Sequence, residues 1–127
     1  MEIEIQITSE RIVLPRQPQT AGDTGAVAEF SGVVRREENN QPIRALEYEA
    51  YAPMAERVMR EILTDLAIKF PCQTARVIHR TGVVPVGETA IYIRITARHR
   101  AEAFALLVGF MDRLKQDVPI WKVRAST

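Results

Sequence analysis

RALEYEAYAPMAERVMREILTDLAIK, residues 44–69, reads as a strand running straight into a helix. Within Arg44–Tyr51, Leu46, Tyr48 and Ala50 fall on one side and Glu47, Glu49 and Tyr51 on the other, the two-residue period of a pleated strand. Pro53 suits the first turn of a helix, where a missing N–H costs nothing. Met54, Val58, Ile62 and Leu66 then recur every fourth residue, with Met59 and Leu63 widening the stripe, which predicts an amphipathic helix over 53–69. Two strands follow with no helix between them, Ala75–His79 and Ala90–Thr96, joined through Pro85 and Gly87. In the second, Ile91, Ile93 and Ile95 point one way and Tyr92, Arg94 and Thr96 the other. A second helix is predicted over 99–116, with Ala101, Phe104, Ala105, Val108, Met111 and Leu114 as its apolar positions. Asp117-Val118-Pro119 stops it, because the residue before a proline is pushed out of the helical region.

Upstream, Ile3, Ile5 and Ile7 alternate with polar residues as in a half-buried strand. Pro15, Pro18, Gly22 and Gly25 mark residues 14–25 as a loop. Gly25–Val34 reads as a strand, with Gly32 marking a bulge or a close backbone approach. Arg35–Pro42 reads as a polar loop, and Ile120-Trp121-Lys122 as a short extended tail. Strands in adjacent runs, divided by two main helices, point to the α+β class, with a mostly antiparallel or mixed sheet and the helices on one side.

The chain has 127 residues, 46% of them hydrophobic, which fits one domain over residues 1–127 that buries roughly two-thirds of its unfolded surface. The net charge is +1, against a nucleic-acid or membrane binder that works by bulk charge. An Arg-rich RNA-binding domain is disfavoured further by the eight aromatic residues, none in a stacking pattern. One cysteine, Cys72, excludes an internal disulfide, and with only two histidines beside it the chain lacks the ligands of a usual Cys/His metal centre, so no metal and no cofactor is expected. The longest apolar run, Ala103–Met111, is nine residues against the roughly 20 that a membrane span needs. The acidic, alternating start is unlike a signal peptide, and a cytoplasmic protein is expected.

The basic residues are divided unevenly. There are 14 Arg and three Lys, and two of the lysines, Lys115 and Lys122, lie in the last 13 residues. Arg stays protonated near neutral pH, whereas a Lys in a partly desolvated site can exchange a proton. Arg35 directly follows an apolar strand, where loops present functional groups. His99 and Arg100 open the second helix, and their charge opposes the helix dipole unless an anion sits there. His79, in mid-strand, reads as a hydrogen-bonded structural residue, and Cys72 as apolar filler.

Taken in order, these residues resemble the large, catalytic subunit of molybdopterin synthase. The matching segments are Gly25-Ala26-Val27 with Phe30-Ser31-Gly32-Val33-Val34-Arg35, and Leu46–Tyr51 with Pro53-Met54-Ala55-Glu56. They continue with His79-Arg80-Thr81-Gly82, Val86-Gly87-Glu88, His99-Arg100-Ala101, Asp112–Lys115 and Val118–Lys122. The resemblance implies an α/β-hammerhead fold and a homodimer within a heterotetramer. It implies a small ubiquitin-like sulfur-carrier partner, whose C-terminal Gly-Gly thiocarboxylate gives sulfur to cyclic pyranopterin monophosphate to form the dithiolene of molybdopterin. It assigns catalysis to Lys115 and Lys122, and substrate binding to these two with Val33, Val34, Arg35, His99, Arg100, Val123 and Arg124. A non-catalytic partner-docking homologue of the same fold is the alternative, and the intact set of basic residues argues against it. Two departures are visible. Arg36–Asn40 lacks the His and Gly often found there, and Arg124 stands where many members carry an acidic residue.

A distance follows from the helix itself. Arg100 and Lys115 are 15 residues apart, about 22 Å at 1.5 Å per residue, so one small substrate cannot readily reach both in a single subunit. If both serve one site, they are expected to come from different subunits.

Overall fold

The strand Thr89–Ala97 is the axis of the molecule, and every residue of it after Thr89 is buried. The computed structural model describes residues 1–14 and 20–127, so Pro15 and Pro18 of the expected loop lie outside the described residues. In chain order the elements are β1 (Glu2–Thr8), β2 (Ala26–Val33), β3 (Glu37–Glu38), β4 (Gln41–Pro42), β5 (Ala45–Ala50), α1 (Ala52–Lys69), β6 (Thr74–Arg80), β7 (Gly82–Pro85), β8 (Thr89–Ala97), α2 (Arg100–Asp117) and β9 (Ile120–Ser126). The main sheet has the order β1-β6-β8-β2; β1 and β6 are parallel and the other pairs antiparallel, so the sheet is mixed and the chain is α+β, as its sequence predicts. Ile91, Ile93 and Ile95 of β8, with Ala75 and Val77 of β6, pack against both helices in the principal core. A smaller sheet, β7-β5-β9, has its own core of Val34, Ile43, Leu46, Val84 and Ala90.

Several expectations are corrected. The buried positions of α1 are Ala55, Met59, Ile62 and Leu63, and Met54 is exposed. A strict fourth-residue row drifts around a helix of 3.6 residues per turn and runs off the core. In α2 the core takes Ala103, Leu106, Leu107 and Phe110, while Phe104 and Val108 remain 58% and 52% exposed. The run Ala103–Met111 is apolar nearly all round, so periodicity cannot choose its buried face. The tail is a seven-residue strand, β9, and Gly82–Pro85 is a strand as well. The expected polar loop contains a two-residue hairpin, β3–β4, turning at Asn39 and Asn40 with φ of 52° and 63°. A type I′ turn needs positive φ at both central positions, and Asn tolerates it.

The register of β2 against β8 shifts between Gly32 and Val33, the bulge that Gly32 predicted. Gly25 marks a tighter approach, because a Cβ there would run into the carbonyl oxygen of Arg98. Gly25→Ala is expected to destabilise the chain by about 1–3 kcal/mol, read as a lowered thermal midpoint. An unchanged midpoint would show that the Arg98 backbone yields freely.

Candidate functional site

Where the two sheets meet, a cleft of about 610 Å³ opens. Its apolar wall comes from Phe30 of β2, Leu46 of β5, Ile91 of β8, Leu114 of α2 and Ile120 and Trp121 of β9. Its charges are the three cations Arg35, Lys115 and Lys122 and the two carboxylates Glu37 and Glu38. Tyr48 and His79 also line it.

Each cation is placed by its element. Arg35 leaves a strand end that is pinned on both sides: Val34 N–H donates to the Glu88 carbonyl at 3.1 Å, and Gly87 N–H donates to the Val34 carbonyl at 2.9 Å. Lys115 lies in the last turn of α2, where the helix dipole favours a cation. Lys122 is placed by a bulge. β9 pairs Lys122 with Tyr48 but Arg124 with Glu47, so Val123 is the extra residue. Cross-strand partners share a face, so Lys122 joins Tyr48 on the cleft side and Arg124 joins Glu47 on the other, at 4.0 Å.

The buried floor is polar. His79, only 6% exposed, donates from Nδ1 to the Arg80 carbonyl at 2.8 Å and meets the Tyr48 ring edge-on, 5.4 Å between centroids. Burial lowers its pKa below the usual 6.5, partly offset by that hydrogen bond. Burial raises the Tyr48 pKa, Lys122 opposes this and Glu38 adds to it. Because His79 binds its proton less readily folded than unfolded, the unfolded chain takes up the proton first as pH falls. Its contribution to stability is therefore present above about pH 6.5 and is lost on acidification. The thermal midpoint of His79→Gln is expected to fall less between pH 7 and pH 5 than that of the parent. Parallel slopes would rule this out.

Of the residues singled out from the sequence, Val33, Val34, Arg35, Lys115 and Lys122 come together in the cleft. Val123 and Arg124 follow it on β9, outside the cleft lining. His99 and Arg100 are exposed at the opposite end of α2, with His99 extended at the N-cap and its side chain making no cap bond. Sequence reasoning missed Tyr48, Glu37 and Glu38 as lining residues and gave His79 only its structural part. The Asn39-Asn40 pair was the available signal for the hairpin that carries both glutamates. Cys72 is remote from this chemistry; its Sγ donates to the Glu102 carbonyl at 3.5 Å, and burial with Glu102 pushes the thiol up to about 11. Among the described residues no group of three or more His, Cys, Asp or Glu is arranged to hold a metal ion. Likewise no helix among them is long and apolar enough to cross a membrane.

Fold and cleft together define an α+β protein whose apolar-walled cleft presents three cationic side chains, two of them primary amines, beside two carboxylates. The MoaE protein family model matches residues 5–117, and the chain belongs to that family. It is 42% identical over 98 residues to the molybdopterin synthase catalytic subunit of Homo sapiens, covering 77% of this chain and 52% of that protein. The structure resembles the X-ray crystal structure of molybdopterin synthase from Staphylococcus aureus with a TM-score of 0.84 and 33% identity, over 92% of this chain and 87% of that one. It shares its fold, at 17% identity and a TM-score of 0.70, with a chain of the complex of subunit 1 and 2 of molybdopterin-converting factor from Helicobacter pylori, over 98% of this chain and 88% of that one. The chain spans between half and two-thirds of the length of the first curated relatives it matches, 52% and 64%.

Proposed function

We propose that residues 1–127 act as one domain, the catalytic subunit of a cytoplasmic molybdopterin synthase. It transfers sulfur from the C-terminal thiocarboxylate of a small ubiquitin-like partner to cyclic pyranopterin monophosphate. The observation that carries this reading is the convergence of Arg35, Lys115 and Lys122 on one apolar-walled cleft. An extended Gly-Gly tail has no side chains for the cleft to accommodate. Its thiocarboxylate and the substrate phosphate are anions that Arg35, His99 and Arg100 hold by charge-assisted hydrogen bonds. Lys115 and Lys122 supply and remove protons at the oxygenated carbons of the substrate and at the leaving groups. The sulfur arrives on the partner, so this subunit needs no thiol of its own, in keeping with Cys72 lying outside the cleft lining. Val33, Val34, Val123 and Arg124 complete the substrate-binding set.

The site is proposed to be shared between two copies of the chain. His99 and Arg100 lie at the far end of α2 from Lys115, and the face of α2 between them leaves Phe104 and Val108 uncovered. The midpoint between Arg100 and Lys115 falls at Leu107 and Val108. A two-fold axis crossing two antiparallel α2 helices there sets Arg100 of one copy opposite Lys115 of the other.

The test is direct: the thiocarboxylated carrier and cyclic pyranopterin monophosphate are added to the purified chain and the dithiolene product is measured. Product formation is expected. Tight carrier binding without product would favour the partner-docking alternative.

A further inference from the structure

We propose that Glu38 is a positioning residue for Lys122, a role that rests on the function proposed above for that lysine. Lys122 Nζ donates to a Glu38 carboxylate oxygen at 3.0 Å. The two partners differ in freedom. Glu38 is carried on the short β3–β4 hairpin, whose two-residue turn allows little play. The base of that hairpin is closed by Ile43 N–H donating to the Arg36 carbonyl at 2.9 Å, and Ile43 is buried in the smaller core. The backbone that carries Glu38 is therefore held, and its side chain is only 22% exposed. Lys122 has a four-carbon stem on a sheet-edge strand, and its side chain is 52% exposed. Left alone, such an ammonium samples many rotamers.

The groups around the lysine make this pairing selective. The cleft presents Tyr48 from β5, Glu37 and Glu38 from β3, His79 from β6, Lys115 from α2 and Arg35 beyond β2. Lys115 and Arg35 repel the ammonium, and Tyr48, its cross-strand partner, forms the wall beside it. The Tyr48 pKa, raised by burial, lowered in part by Lys122 and raised by Glu38, fits the same grouping. Glu38 thus offers Lys122 a carboxylate, carried on a held hairpin, within the cleft lining. A partly exposed ion pair adds little to folding stability, so its main consequence is to aim the lysine.

Reductive methylation of the 127-residue chain with formaldehyde and a borohydride reductant, resolved by peptide mass spectrometry, tests the pair without any assay of activity. Glu38→Ala is expected to speed labelling of Lys122 about fivefold, while Lys69, far from the cleft, labels as before. Glu38→Gln, which keeps an acceptor at the same reach, should fall between the two. Equal labelling of Lys122 in parent and Glu38→Ala overturns the pairing. Single-turnover sulfur transfer then tests positioning: Glu38→Ala should slow the parent about fivefold but change Lys122→Arg less than twofold. A full fivefold loss in the Lys122→Arg background would mean that Glu38 acts independently of the lysine. Should no chain transfer sulfur at all, the functional reading fails while the labelling result still decides the pair.

Discussion

Lys122→Arg is expected to slow sulfur transfer by about 10²–10⁴-fold, the usual contribution of a positioned proton donor or acceptor. The substitution is chosen to separate charge from chemistry. Arginine keeps the positive charge, the reach to Glu38 and the place in β9, so folding should change by no more than about 0.5 kcal/mol, as for other surface positions. What it removes is the ability to give up and take back a proton near neutral pH. In the single chain the Lys122 side chain is half exposed, so water exclusion must come with the carrier tail and the substrate. The loss should therefore appear in the single-turnover rate, with carrier affinity nearly unchanged. A Lys122→Arg protein that retains more than a tenth of the parent rate would leave Lys122 with only an electrostatic role.

Mixing two inactive proteins, His99→Ala and Lys115→Ala, is expected to restore about a quarter of the parent activity once subunits have exchanged. Random pairing makes half of the dimers mixed, and each mixed dimer has one site with both residues intact and one with neither. The expectation depends on geometry within a single chain. α2 is one continuous helix from Arg100 to Asp117, so His99 at its N-cap and Lys115 in its last turn are held at opposite ends of a rigid rod about 24 Å apart and cannot approach each other. The rod's exposed Phe104 and Val108 lie near its middle, where a second α2 would cross. Val108→Asp places a charge at that crossing and is expected to give monomers that neither transfer sulfur nor take part in rescue. Sedimentation or light scattering reports the first effect and the mixing assay the second. Proven exchange without recovery of activity would mean that each chain builds its site alone.

Much of this architecture was legible in the residues. The isoleucine alternation of β8, the proline at the start of α1 and the Asp117-Val118-Pro119 stop of α2 are local signals, and the elements begin and end within a residue or two of where those signals put them. The bulge at Gly32 was signalled locally by a glycine inside a strand pattern, and the folded chain gives the reason, since a side chain there would crowd Ile91 of the neighbouring strand. Lys115 and Lys122 stood out because the chain otherwise relies on arginine. The hairpin that carries Glu38 was written in Asn39-Asn40 and passed for a loop, since β3 and β4 are only two residues each and have no hydrophobic period of their own.

By itself, the sequence determined the two helices and the strands β1, β2, β5, β6 and β8, their order, and which residue types were available for chemistry. These follow from backbone preference and from periods that a few neighbouring residues encode. Only the tertiary structure decided which side of α2 is buried, since both sides of Ala103–Met111 are apolar and the choice belongs to the sheet that receives the helix. Only the pairing of β9 with β5 decided that Lys122 faces the cleft and Arg124 faces away. Strict alternation would put both on one side, and the extra residue at Val123 reverses the phase between them. Only the meeting of the two sheets brought Arg35, Lys115 and Lys122 together, because separations of 80 and seven residues along the chain carry no distance until the chain is folded.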